Sequence, residues 1–226
     1  MSCLINAKIS SKAAVRLLVM NEIDISYYWQ TKQAEALLEE LYYTDVSELL
    51  RIIDFIDPQT SFDSSTIPQF GSLKTLIRIP ETMISKGIDG LSYTQLGFFL
   101  KEDIKAKPSA NAKYGETHGK GACQLGLAEC KKGKIHFGAL TNAFNSIHDQ
   151  NRQLRIAKLL CFRIPVVQTL LNRARDEKVN GFNLISFLEE STQQRRAICI
   201  KMILKELKTL ENADLSKRID NIYWNI

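Results

Sequence analysis

The chain has no apolar run approaching the roughly 18 residues a bilayer-spanning helix needs, so no membrane-spanning helix is expected. Its start, Met1-Ser2-Cys3-Leu4-Ile5-Asn6, lacks the basic residues and long apolar core of a secretory signal, and a cytoplasmic location is expected. Glycine and proline are sparse, at 11 and 5 residues of 226. With 45% hydrophobic and 24% charged residues, that excludes collagen-like, coiled-coil and disordered chains. Histidine occurs only three times, and no Ser or Cys nucleophile pairs convincingly with one. The five cysteines, Cys3, Cys123, Cys130, Cys161 and Cys199, form an odd, scattered set that reads as reduced and mostly buried thiols. What remains is a globular chain of one or two domains, long enough to bury a core without disulfides.

Charge is unevenly placed. Residues 1–100 hold 8 Lys/Arg and 12 Asp/Glu, and residues 101–226 hold 22 and 13, so a front half of −4 precedes a back half of +9. The basic half suits a polyanion, with nucleic acid the leading candidate, against the plainer reading of solvated cationic faces.

Periodicity predicts helices from Ser11 to about Phe55, with Asp45 and Glu48 in capping-box spacing before Leu49, Leu50, Ile52 and Ile53. The polar stretch Asp57 to Pro68 is turn-rich and reads as a linker. A short segment, Leu73 to Ile79, ends at Pro80, and Gly87-Ile88-Asp89-Gly90 marks another break. Tyr93 to Lys101 reads as a short helix and Ala110 to Leu125 as a second, weakened by Gly115, Gly119 and Gly121. Two short segments around the tip Lys131-Lys132-Gly133-Lys134 then read as a β-hairpin, and Thr141 as the cap of the next helix. Beyond Arg152 the chain is helical, with Arg163-Ile164-Pro165 as a kink or restart and Asn180-Gly181 as a turn. A short helix over Phe182–Glu189 and a long one capped by Thr192 and running to about Leu210 follow. The expected fold is mainly α with a small β-hairpin: a winged helix-turn-helix followed by a second helical, HTH-like unit. The expected division is an acidic helical region at 1–70, a linker at 71–90, a winged-helix module at 91–150 and a second helical unit at 151–226.

The run Tyr93-Thr94-Gln95-Leu96-Gly97, Ala110-Asn111-Ala112-Lys113-Tyr114-Gly115, Gln124-Leu125-Gly126-Leu127 and Ala139-Leu140-Thr141 resembles a winged-helix module found with bacterial restriction-modification and phage-defence proteins. Ile164-Pro165 and Thr192-Gln193-Gln194-Arg195-Arg196 resemble elements of the helical unit that follows it, so the likeness spans about Leu91 to Leu210. Gln-Leu-Gly-Leu stands here where that pattern has Tyr-Leu-Gly-Leu. The resemblance implies binding to DNA as the recognition or regulatory part of such a system. It supplies no catalytic activity.

A winged helix places its second helix in a major groove and its hairpin beside the backbone. The residues expected at DNA are therefore Thr94, Gln95, Asn111, Lys113, Tyr114, Thr117, His118 and Lys120, the hairpin lysines Lys131, Lys132 and Lys134, and Gln193, Arg195 and Arg196 at a helix start. For that last group a surface pair bonded to Glu189 or Glu190 is the plain alternative.

Other constellations are weaker. Gly115-Glu116-Thr117-His118-Gly119-Lys120-Gly121 is one residue short of a phosphate loop and lacks its Ser/Thr. His118, Cys123, Cys130 and His136 do not have zinc-knuckle spacing. Asp89 with Asp103-Ile104-Lys105 only faintly resembles a metal-dependent nuclease set. Tyr27, Tyr28, Trp29, Tyr42 and Tyr43 suit either a core or a partner surface. No cofactor and no metal are expected. The leading expectation is a sequence-specific protein whose partner is double-stranded DNA, with a homodimer or a restriction-system protein as a further partner. A type II restriction endonuclease and a protein-docking module on the same scaffold are the alternatives.

Overall fold

The structure is a computed structural model, and it describes residues 33–101 and 105–225. The expected helix over residues 11–32, the aromatics Tyr27, Tyr28 and Trp29, Cys3, and the Asp103-Ile104 part of the acidic pattern lie outside those residues. The described chain is mainly helical with little strand. No helix among the described residues is long and apolar enough to cross a membrane.

The first two helices are α1 (Gln33–Tyr43) and α2 (Val46–Asp54). Asp45 caps α2, its carboxylate accepting from the Ser47 amide at 2.8 Å. Glu48, the other half of the expected box, is buried. The polar stretch before Pro68 is not a loose linker. Ile67 and Phe70 are fully buried, and Gln124 donates to the Ser65 and Thr66 carbonyls at 3.2 Å.

The expected linker at 71–90 holds a core helix, α3 (Leu73–Ser85). Ser72 caps it, accepting from the Thr75 amide at 3.3 Å. The helix continues through Pro80, which removes one backbone donor. Leu73, Leu76, Ile77, Ile79 and Met83 are all buried, and burial of such side chains, worth about 1.5–3 kcal/mol each, outweighs that loss.

After a turn in which Gly87 and Gly90 have positive φ come β1 (Leu91–Ser92), α4 (Tyr93–Lys101) and α5 (Pro108–Gln124). Then follow β2 (Glu129–Lys131) and β3 (Lys134–His136). The three strands form an antiparallel sheet in the order β1-β3-β2, with Leu91 opposite Ile135 and Cys130 opposite Ile135 on the other side. Within the expected tip Lys131–Lys134 the hairpin turns at Lys132-Gly133, where both residues have positive φ (48° and 71°), as a tight two-residue turn requires. α3 packs on both α4 and α5.

α6 (Thr141–Asn145) follows. Thr141 lies inside it rather than before it. Its hydroxyl donates to the Leu127 carbonyl and accepts from the Gly138 amide, both at 2.8 Å, tying α6 to the end of the hairpin. α7 (Gln150–Leu160) passes through a 3₁₀ turn, Cys161–Arg163, into α8 (Pro165–Arg173), which Pro165 starts at a position where its missing N–H is harmless.

In the last part, β4 (Val179–Asn180) leads into a 3₁₀ turn (Gly181–Ile185), α9 (Glu190–Lys208), α10 (Ala213–Asp220) and β5 (Ile222–Tyr223). The β4–β5 pair is parallel and is not anticipated by the sequence pattern. α9 begins two residues before Thr192, with Glu189 as its cap, because Thr192 and Gln193 amides bond to the Glu189 carbonyl at 2.8 Å. One continuous hydrophobic core runs from α1 to β5.

Candidate nucleic-acid interface

α4 and α5 cross at contact distance between backbones. A methyl group on Gly97 would overlap the Asn111 carbonyl, and one on Gly115 would overlap the Tyr93 carbonyl. Gly119 and Gly121 accommodate Ile135 and Phe70 in the same way. The glycines that weaken α5 as an isolated helix are the surface by which it packs.

That packing decides which α5 side chains face outward. Asn111 and His118, expected at DNA, are buried at 4% and 6% exposure, because they share the glycine face. The Asn111 Oδ1 finds no hydrogen-bond partner among the described residues. His118 Nδ1 lies 3.0 Å from the Tyr114 carbonyl. Burial pushes its pKa below the ordinary value, so the ring is held neutral. Tyr114 is half-buried, its ring against His118 and beneath the Lys101 ammonium, 4.9 Å from the ring centre. Asn111 and His118 are thus turned inward and offer no base-reading edge.

The opposite face carries Lys113, Glu116, Thr117 and Lys120, all at least partly exposed. Glu116 takes an ion pair from Lys120 at 2.7 Å and another from Lys113 at 3.2 Å. The hydrogen bond from Lys120 is the main reason its carboxyl sits below the usual range. The face is therefore cationic by one charge over those three groups. Lys105 and Lys107 are exposed just before the helix.

Thr94 and Gln95 are exposed on α4. Gln95 is occupied: its Oε1 accepts from the Ser92 amide at 3.0 Å and hydroxyl at 2.8 Å, while its own amide donates to the Ser92 hydroxyl at 3.3 Å. That reciprocal pattern is a capping box.

At the hairpin, Lys132 and Lys134 are exposed, and Lys131 pairs with Glu129 at 2.8 Å. Asp89 braces the hairpin base. It accepts from the Phe137 amide at 2.8 Å and lies 3.2 Å from His136 Nδ1, and the Phe137 amide chiefly holds its carboxyl below the usual range. Cys123 at the end of α5 and Cys130 in β2 form a disulfide, correcting the expectation of reduced thiols at those positions. Cys161 and Cys199 are free and buried. The pairing also removes Cys123 and Cys130 from any shared metal site with His118 and His136.

The α9 residues differ in role. Gln193 donates to the Ser186 and Leu188 carbonyls, at 3.3 and 2.6 Å, closing the turn before the helix. Arg196 donates to the Ile67 carbonyl at 3.0 Å, and the Gln69 amide oxygen, turned toward it, accepts at 2.9 and 2.8 Å. Arg196 thus clamps the chain before α3. Only Arg195 points outward, its guanidinium on the Ser191 carbonyl and the Thr192 hydroxyl. Both arginines lie in the second turn of α9, not the first, so neither opposes the helix dipole as the sequence pattern suggests.

Of the expected set, Thr94, Gln95, Lys113, Thr117, Lys120, Lys131, Lys132, Lys134 and Arg195 are at least partly exposed, Gln95 with its Oε1 occupied by Ser92. Comparison with protein-family models, with curated proteins and with solved structures finds no match to the chain.

Proposed function

We propose that the protein binds double-stranded DNA through a winged-helix unit spanning α3 to β3. The observation that carries this reading is the element order helix-strand-helix-helix-strand-strand together with the β1-β3-β2 sheet. In that arrangement α5 is the helix offered to a major groove and the hairpin is the wing. Lys132 and Lys134 at the wing tip, Lys107 just before α5, and Lys113 and Lys120 along it reach phosphates. Thr117, on the same outer face, is the group placed to discriminate bases. Glu116 pairs with Lys113 and Lys120 along the helix surface, and phosphates take its place on binding.

The mechanism is equilibrium recognition. Lysines neutralise phosphates and release condensed counterions, which supplies affinity, and the short polar side chains of α5 supply the sequence preference. Asp89 and the Cys123–Cys130 disulfide act on the wing, fixing its angle to α5. The narrower role, recognition or regulation in a restriction-modification or defence system, rests on the sequence resemblance.

Gel shift against random duplex pools tests the reading. Lys120→Glu and Lys132→Glu are expected to weaken binding to every sequence, whereas Thr117→Val alters preference among sequences. Unchanged binding in both charge-reversed variants contradicts it. Sequence-specific cleavage in the presence of magnesium would instead establish an endonuclease.

A further inference from the structure

The Cys123–Cys130 disulfide sits where the wing leaves α5. Cys123 is half-buried in the last turn of α5, and Cys130 is exposed at the centre of β2. The chain between them is held by other means. Leu125, Leu127 and Ala128 are buried, the Leu127 amide donates to the Ala122 carbonyl at 2.9 Å, and Thr141 donates to the Leu127 carbonyl at 2.8 Å. β3 is fixed in the same way. Ile135 is buried, its carbonyl accepts from the Gly90 amide at 3.1 Å, and Asp89 accepts from the Phe137 amide. β2 is different. It is an edge strand of the sheet, its residues are all exposed, and beyond its pairing with β3 its covalent tie to α5 is the disulfide.

The bond also joins two parts of the proposed DNA surface. Lys120 lies three residues before Cys123, on the same side of α5. Lys132 lies two residues after Cys130, about 7 Å along extended chain. The bridge therefore sets the span from Lys120 to the wing tip. Its sulfurs are also the ones a reductant can reach. Cys161 and Cys199, the free cysteines among the described residues, are buried, and burial pushes both thiols up. The Cys161 Sγ donates to the Ala157 carbonyl at 3.3 Å. Buried structural thiols of that kind are inert, whereas exposed disulfides are the ones that exchange.

We propose that Cys123 and Cys130 are a reversible redox site, opened by a dithiol reductant and closed by a low-molecular-weight disulfide, that sets how firmly the wing is held to α5. The effect on DNA rests on the reading of the protein as a duplex-binding one, and the release of β2 does not. In the opening step a thiolate of the reductant attacks the exposed Cys130 Sγ. The Cys123 sulfur leaves with the bonding electron pair and takes up a proton. The reductant's second thiolate then displaces the Cys130 sulfur, which is protonated in turn, and the reductant departs as its own cyclic disulfide. Two electrons pass to the protein, and two thiols replace one S–S bond. Closure runs the exchange backwards, the two protein thiols giving their electrons to the added disulfide. Closed, the wing presents Lys132 in one place relative to Lys120. Open, it must be ordered again whenever phosphates are bound, at an entropic cost that lowers affinity.

The test is hydrogen–deuterium exchange and duplex affinity of the full chain in three states: oxidised, reduced with dithiothreitol, and reoxidised with glutathione disulfide once the dithiothreitol is removed. Reduction is expected to speed exchange in residues 129–134 while α3, α4 and α5 keep their protection. Duplex affinity is expected to fall about three- to tenfold, the order of the cost of immobilising one long side chain again. Reoxidation restores both. Iodoacetamide added to the native reduced protein should label Cys123 and Cys130 and leave Cys161 and Cys199 unlabelled. Cys123→Ser/Cys130→Ser should match the reduced wild type and ignore the reductant. Equal exchange in the two states overturns the site itself. Equal affinity in the two states overturns the effect on binding and leaves the duplex reading standing. Loss of protection throughout α3 and α5 on reduction overturns the inference, because the bond is then needed by the whole fold. If neither state binds duplex DNA while exchange at 129–134 still rises on reduction, the duplex reading fails and the redox site stands.

Discussion

Gly115 and Tyr93 meet backbone to backbone: the Tyr93 carbonyl oxygen occupies the space a side chain on Gly115 would need. Overpacking against movable side chains costs about 1–3 kcal/mol. A carbonyl fixed inside a helix cannot turn aside, so Gly115→Ala is expected to cost more than about 3 kcal/mol. The readout is the urea midpoint. Gly71→Ala, where an added methyl meets nothing within 4 Å, keeps the wild-type midpoint. A wild-type midpoint for Gly115→Ala would show that the two helices are not so close.

Much of the fold is legible in the sequence, for local reasons. The hairpin announces itself by two short segments around Lys-Gly, and α4 by its apolar spacing and the turn residues that bound it. Ser92-x-x-Gln95 is a capping signature present in the sequence, and it explains why Gln95 is not a free groove contact. What is not legible is tertiary. Nothing local tells that Pro80 sits inside a helix, since burial of its neighbours decides that. The glycines of α5 count against a helix by propensity and for one only when α4 is present. The same blind spot misplaces Asn111 and His118: their types suit DNA, but the glycine face they share is turned inward. Arg196 looks like an anion ligand until the loop at Ser64–Gln69 is folded against it.

Arg218 joins α2 to α10. Only 3% exposed, it donates from Nη1 and Nη2 to the two oxygens of Asp54 at 2.5 and 3.0 Å, and from Nη2 to Asp214 at 2.9 Å. Removing one member of a fully buried ion cluster costs about 3–5 kcal/mol. Here Asp54 is mostly buried but keeps Arg175 at 3.9 Å, and Asp214 is half-exposed, which places the loss at or below the lower end of that range. Arg218→Met is therefore expected to lower the thermal midpoint. The triple change with Asp54→Leu and Asp214→Ala recovers most of the loss. A midpoint in Arg218→Met equal to wild type would contradict the account.

His118 makes stability depend on pH. The buried ring stays neutral in the fold, while in the unfolded chain it takes up a proton near its ordinary value of 6.5. The unfolded state thus binds more protons as pH falls below that value, and the fold loses stability until its own lower pKa is reached. Well above 6.5 the contribution is constant. Urea titrations at about pH 7.5 and about pH 5 are expected to show this loss, and His118→Asn to reduce it. An equal slope in the variant would assign the loss to other groups.

The disulfide between Cys123 and Cys130 closes a short loop across the base of the hairpin. A crosslink over a loop of this length stabilises by about 2–3 kcal/mol in the chain-entropy account. A reductant is expected to lower the thermal midpoint of the wild type and leave Cys123→Ser/Cys130→Ser unchanged. In denatured, unreduced protein Cys123 and Cys130 should stay unreactive to a thiol reagent while Cys161 and Cys199 react. Five reactive thiols would show the pair to be unlinked.

The most direct test of the central claim is the affinity of the wild-type chain for duplex DNA measured across a salt series. With the wing tip and α5 on phosphates, log K falls linearly with log salt, with a slope of about −4 to −5 for five lysine contacts. A line that stays flat from low to moderate salt, or no binding at low salt, contradicts phosphate-led recognition of DNA by this protein.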